Sequence, residues 1–369
     1  MTDKAYYRSV LSYRPIDFVP VLEKQKGNYN GFKAQDMVSL PYYRNEEGKA
    51  VIKLYYPKAD QVVLMLKRRP WPMVKEGDYF VLETDLENGI QPVVVMVDGS
   101  IVVDSFLPVG IGHNQPFNFV DFVSDEDPWA EKTVPHGSLQ SWQVFNSVTG
   151  KTDRLLVYVP AYYFDHPEDL LDVLFLQHGF GENETSWLSE GKIDNIVDNL
   201  IADGKIRPLL VVMANGMMYK TEGEDVLMLH SRFNEYLKHD IFPVVKKQYR
   251  CGDYYMAGLS MGSIQTSITV LEDPEMFKGA GLFSGFLSDP ISGYSDHLAP
   301  ERLKVFCEKS FLMRGIGDTD RFLPIFEKED ALMSGITHER KIYHGEHEWN
   351  VWREMIVDFL MLREKYNAE

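Results

Sequence analysis

Hydrophobic and polar positions change rhythm part-way along this chain. Residues 50 to 123 run as short apolar stretches broken by turn residues: AVIKLYYP, QVVLMLK, DYFVLETDL, QPVVVMVDG, SIVVDSF and FNFVDFV. None keeps a helical period, and Gly, Pro, Asp and Asn punctuate them, which predicts short strands of an antiparallel β-sandwich. Asp98-Gly99, between two Val-rich runs, is the strongest local hairpin signal.

Beyond about residue 130 strand-like runs alternate with longer amphipathic stretches, the texture of βαβ units and a mostly parallel sheet. The stretch SDEDPWAEKTVPHG, Ser124 to Gly137, is acidic, holds two prolines and has no period, so it reads as a linker. The expected division is 1–130 for a β-sandwich domain with its linker and 131–369 for an α/β domain. Each strand candidate of the second part runs into a small-residue turn: VLFLQHGFG, LLVVMANG, YYMAGLSMG, KGAGLFSG, SFLMRGIGD and RKIYHGEHE. In open α/β sheets ligands bind at the carboxyl ends of strands, so chemistry should collect in these turns. Helices are expected over KIDNIVDNLIADG and FNEYLKHDIFPVVKKQY. In the second, Phe233, Tyr236, Leu237, Ile241, Val244 and Val245 share a face and Pro243 should kink the helix. No internal repeat at solenoid or propeller period is present.

Bulk properties narrow the partners. With 38 Lys and Arg against 55 Asp and Glu, the net charge is -17, which disfavours nucleic acid or an anionic membrane as partner. Cys251 and Cys307 are too few for a disulfide framework and read as free thiols. MTDKAYYRSVLSYRPIDF lacks the apolar core of a signal peptide, so the chain reads as cytoplasmic, or as secreted if a leader has been removed. A homo-oligomer stays open.

The sharpest chemical signal is GLSMG, Gly258 to Gly262, between the apolar YYMA and the helical SIQTSITVLE. In Gly-x-Ser-x-Gly the serine occupies a tight strand-to-helix turn whose flanking positions must be small, which exposes the Ser260 hydroxyl at a helix amino end. A hydroxyl nucleophile needs a base, and the base an orienting carboxylate, in the chain order Ser, acid, His. GIGDTD offers Asp318 or Asp320, and HGEHEW offers His347 with His344 as rival. His347 is preferred because Trp349 and Trp352 can pack around it; the pattern does not separate the two aspartates. Glu346 and Glu348 read as solvated neighbours. Oxyanion donors are expected at the Met261 amide and, in HGFG, at Phe180, with Gly181 as alternative. Trp187, Asn215, Gly216 and Ser284, with Met217 and Met218, are candidates for the substrate pocket. No metal and no cofactor is expected, for there is neither HExxH nor a Gly-rich phosphate loop.

Residues 135 to 369, through HGFGENETSW, GLSMG, LFSGF, GIGDTD and HGEHEWNVWR, resemble the esterase D-like family. That family includes the carbohydrate-esterase group of feruloyl and acetylxylan esterases. The resemblance implies an α/β-hydrolase fold. Family members read Gly-x-x-Asp over Gly317 to Asp320 and Gly-x-His-x-Trp over Gly345 to Trp349, which points to Asp320 and His347. KAVIKLYYPKADQVVLMLK and VVVMVDGSIVVDSF resemble the immunoglobulin-like domain, related to glycogen-binding modules, that often precedes these enzymes. Ser263 departs from the pattern, standing where many relatives have a second glycine. The resemblance implies a serine esterase acting on hydroxycinnamoyl esters of plant cell walls. The alternatives are an acetylxylan esterase, a siderophore-lactone esterase and a catalytically inactive glycan-binding protein.

Overall fold

The computed structural model describes residues 41–104, 106–285, 287 and 300–368. The amino-terminal segment read for a signal peptide lies outside the described residues, as do Ser105 and Phe286 from the quoted motifs. The described residues fall in two compact units, one within 41–110 and Gln115–Ser124, the other within Ile111–Asn114 and 125–368.

The first unit is all β. Its strands are β1 (Tyr42–Arg44), β2 (Ala50–Tyr55), β3 (Val62–Leu66), β4 (Arg69–Pro72), β5 (Val74–Glu76), β6 (Tyr79–Thr84), β7 (Gly89–Val97), β8 (Ser100–Val102), β9 (Val109–Gly112) and β10 (Gln115–Phe122). They pair in two sheets, β1-β2-β6-β5 and β4-β3-β7-β10-β9, with β8 on β7. Alternate side chains point inward, as the pleat requires. Ile52, Leu54, Phe80 and Leu82 from one sheet meet Val62, Leu64, Val93, Val95 and Val120 from the other in a single core. At the hairpin Asp98 and Gly99 take φ of 47° and 82°, the pair of positive values a two-residue type I′ turn needs. Val97 faces Ser100 across it.

In the second unit the strands are β11 (Ser138–Asn146), β12 (Lys151–Val159), β13 (Leu171–Gln177), β14 (Leu209–Ala214), β15 (Tyr219–Glu222), β16 (Asp225–Met228), β17 (Cys251–Leu259), β18 (Gly279–Phe283), β19 (Phe311–Gly317) and β20 (Glu339–Tyr343). Eight of them form one sheet in the order β11-β12-β14-β13-β17-β18-β19-β20, and β15 and β16 make a separate hairpin. From β14 to β20 the sheet is parallel; β12 joins it antiparallel and β11 extends that edge. The central strands are buried on both faces, which is why they read as unbroken apolar runs.

One expectation needs correction, and a second gains detail. The stretch read as a linker is packed: Asn199 Nδ2 donates to Pro128 O and Ala130 O at 2.8 Å, and Asn195 Nδ2 to Trp129 O at 3.0 Å. These bonds satisfy carbonyls of a segment too rich in proline to pair them in a ladder. The helix through Pro243 is interrupted by a π-helical turn, Leu237–Ile241, and resumes over Phe242–Gln248 with Pro243 in its first turn. Proline offers no N–H to the carbonyl four residues back, and the wider π turn lies where that bond is lost.

Candidate active site

Ser260 stands between β17 and the helix Met261–Glu272, with φ of 51° and ψ of -116°. That backbone is rare for a residue with a side chain and is held only where neighbours over-determine it. The flanking glycines do so by close approach. A Cβ on Gly258 would lie 2.5 Å from the Gly262 carbonyl, and one on Gly262 would lie 2.6 Å from His178 O. Ser260 N also donates to Phe283 O at 2.8 Å. Its immediate neighbours Leu259 and Met261 are buried, while Ser260 itself is partly exposed.

The turns after β19 and β20 bring the rest. His347 Nε2 lies 3.0 Å from Ser260 Oγ, and His347 Nδ1 lies 2.8 Å from Asp320 Oδ2. Asp320 is fully buried at its side chain. Burial alone would raise its carboxyl, but the His347 ring, the Phe322 N–H at 2.9 Å and the neighbouring Ser284 hydroxyl outweigh it and hold the group below the usual carboxylate range. The His347 ring is fixed edge-on by Trp352 at 5.0 Å and Phe322 at 5.1 Å. The rivals form their own pair, His344 Nδ1 to Asp318 Oδ2 at 3.0 Å, on a His344 side chain that is 95% exposed.

The HGFG turn follows β13. Glu182 N–H reaches back to Gly179 O, and Gly181 takes φ of 79°, the positive value a type II turn requires at its third position. Gly181 N–H is already engaged with Met217 Sδ at 3.2 Å, and its carbonyl accepts from Asn114 N–H at 2.9 Å. Gly179 N–H donates to Glu182 Oε2 at 2.8 Å. Phe180 N–H has no such partner among the described residues, and Met261 N–H opens a helix, where no intrahelical acceptor exists. The Met261 amide directly follows Ser260 and the Phe180 amide is unengaged, whereas Gly181, the alternative donor, is occupied.

His178 is buried, and its Nε2 accepts from Gly216 N–H at 2.9 Å while Nδ1 faces Gly179 O at 2.8 Å. An N–H pointing at Nε2 requires the neutral Nδ1–H tautomer. Burial agrees, lowering the ring to about 4. Among the pocket candidates, Asn215 closes an Asx turn on Met217 N–H at 2.9 Å, and Gly216 O accepts from Gln265 Nε2. Ser284 is buried with φ of 45°. Trp187 is corrected: it is 1% exposed, its indole donates to Gln177 O at 2.9 Å, and it packs edge-on against Trp349 and Phe283. A large aromatic beside a Gly-rich turn has the same sequence signature whether it lines a pocket or fills a core. Met218 likewise belongs to the core.

Residues 147–306 match the family model described as a putative esterase. A relative from Xylanibacter ruminicola, endo-1,4-beta-xylanase/feruloyl esterase, is 30% identical over 337 residues, or 85% of this chain. Over these residues the chain is similar to that esterase family. It spans 44% of the length of the Xylanibacter relative.

Solved structures agree on the α/β-hydrolase fold. The feruloyl esterase module from Clostridium thermocellum complexed with sinapinate superposes with a TM-score of 0.54 at 20% identity, covering 64% of this chain and 91% of that one. The enterobactin esterase from Shigella flexneri reaches 0.65 at 13% identity, covering 89% and 96%.

Two residues around the HGFG turn were not singled out by sequence reasoning, Glu182 and Asn114; Met217, a pocket candidate, serves as the sulfur acceptor of Gly181 N–H. Glu182 carried a faint signal, a carboxylate directly after a glycine turn. Asn114 carried none, because 67 residues separate it from Gly181.

Proposed function

We propose that this chain is a serine carboxylic ester hydrolase that releases hydroxycinnamic acids from plant cell-wall esters. The observation that carries the chemistry is the continuous Ser260–His347–Asp320 contact at 3.0 and 2.8 Å; the likeness to a relative named for feruloyl esterase supports the acyl group. Asp320, ionised and buried, keeps the proton of His347 on Nδ1, so Nε2 is free to accept.

Ser260 Oγ attacks the ester carbonyl carbon as its proton passes to Nε2. The carbonyl oxygen becomes an oxyanion held by the Phe180 and Met261 amides. Collapse breaks the bond to the alcohol oxygen, which takes the proton from Nε2 and leaves. Water then attacks the acyl-enzyme under the same base, and the free acid departs with Ser260 restored.

The test is release of free acid from methyl ferulate, with naphthyl acetate in parallel, by the parent chain and by Ser260→Ala. Ferulate release that vanishes in the variant is the expected result. Cleavage of acetate alone would replace the acyl assignment with a deacetylase, and turnover surviving in Ser260→Ala would overturn the mechanism.

A second reading, a siderophore-lactone esterase, is favoured by one observation: the enterobactin esterase match extends over 89% of this chain. A net charge of -17 speaks against an anionic substrate. Adding a cyclic trilactone of dihydroxybenzoylserine to the ester panel separates the two.

A further inference from the structure

We propose that Glu182 is a positioning residue for the oxyanion site: its carboxylate accepts two N–H groups, Gly179 and the Trp349 indole, and so fixes the turn that presents the Phe180 amide against the segment that carries His347. The inference rests on the esterase reading above.

The geometry is specific. Gly179 N–H donates to Glu182 Oε2 at 2.8 Å, and the Trp349 indole bonds to the same side chain. Gly179 directly precedes Phe180, and Trp349 lies two residues after His347. One carboxylate thus joins the donor loop to the base loop. The residue as a whole is only partly exposed, but its carboxyl is desolvated, which pushes it up to about 7 against the pull of the two N–H donors. The charged groups around it are Glu190, whose own carboxyl is raised by burial and by Glu182, and Arg353, whose guanidinium bonds to Glu190 O. His178, one residue before Gly179, is held toward its neutral form by burial.

The two donors share a group that, as a carboxylate, presents only acceptor sites, about four lone pairs on two oxygens. A carboxamide keeps one accepting oxygen with two lone pairs, and its NH2 opposes any N–H that approaches from the other side. Glu182→Gln is close to isosteric, so it changes acceptor count while leaving volume alone. It should lower kcat for naphthyl acetate and methyl ferulate by about tenfold or more, with KM moving less than about threefold, because a displaced oxyanion donor acts on the transition state. Protonation of Glu182 likewise places a donor, the O–H, on one side of the group and removes its charge. The parent should therefore lose kcat as pH falls through about 7, and Glu182→Gln should lose less over that range.

The decisive variant is Glu182→Gln combined with Trp349→Phe. Without the indole N–H, the carboxamide oxygen serves Gly179 alone, and kcat should rise above that of Glu182→Gln. Thermal unfolding of each variant separates loss of fold from loss of rate. Losses in kcat that multiply with no recovery, or a Glu182→Gln enzyme with parental kcat and pH profile, would overturn the proposal. A parent chain inactive on every ester would instead overturn the esterase reading.

Discussion

His347 faces Asp320 through a 2.8 Å contact between Nδ1 and Oδ2, with the carboxylate fully buried and the ring largely so. The pair two to three residues upstream, Asp318 and His344, repeats the same chemistry at 3.0 Å in open solvent. Burial decides what each can do. An exposed pair is screened and weakly coupled, whereas the buried Asp320 fixes one tautomer of His347. Asp320→Asn should lower kcat by about 10³- to 10⁴-fold, and His344→Gln should stay within about twofold of the parent. Initial rates on methyl ferulate check both, and a reversed order would reassign the base.

Much of this site was legible because each part is forced by backbone geometry. Gly258 and Gly262 leave no room for a Cβ, so the turn writes itself into the sequence as GLSMG. The strands entering the site are buried on both faces and show as apolar runs. The choice of Asp320 over Asp318 depended instead on which oxygen points inward, a tertiary fact; family resemblance supplied it and spacing did not. β11 escaped the sequence reading since it mixes polar and apolar residues at the sheet edge, and β12, paired on both sides, since it opens on four polar residues. The packed segment 125–137 looked like a linker because its partners are side-chain amides of a distant helix, which no local pattern reveals.

Ser263, standing where many relatives have glycine, is matched by Gly285. A Cβ built on Gly285 would fall 1.3 Å from Ser263 Oγ. Gly285→Ala should therefore destabilise the chain by about 1 to 3 kcal/mol through overpacking. Adding Ser263→Gly should recover most of that loss, because the space the hydroxyl fills reopens. Urea unfolding of the two single variants and the double variant measures the coupling; strictly additive losses would mean that the two positions do not compete.

Trp187 tests the difference between pocket and core. Its indole N–H bonds to Gln177 O and its ring is 1% exposed. Trp187→Phe removes the bond and part of the ring volume, so stability should fall by about 1 to 3 kcal/mol. KM for methyl ferulate should hold within about twofold, since no substrate atom reaches a sealed side chain. A raised KM with unchanged unfolding would return Trp187 to the pocket.

Glu190 makes the stability of the fold depend on pH in an unusual direction. Its side chain is fully buried; burial first, and then the charge of Glu182, raise its carboxyl well above the ordinary value of 4.5. Across the interval above 4.5 the folded chain keeps a proton that the unfolded chain has released, so stability falls as pH rises. Below 4.5 both states are protonated and the contribution is level. Glu182, raised to about 7, adds to the same slope. Glu190→Gln removes the ionisation and keeps an acceptor for the Ile111 N–H, which lies 3.1 Å from the carboxyl; the Ser189 hydroxyl can turn to accept from the new amide. The variant's Tm should match the parent's near pH 5 and exceed it by a widening margin toward pH 8. A margin that narrows with rising pH would show Glu190 to be a stabilised anion, and the pressure of two buried carboxylates on this part of the fold would then have to be balanced by a cation.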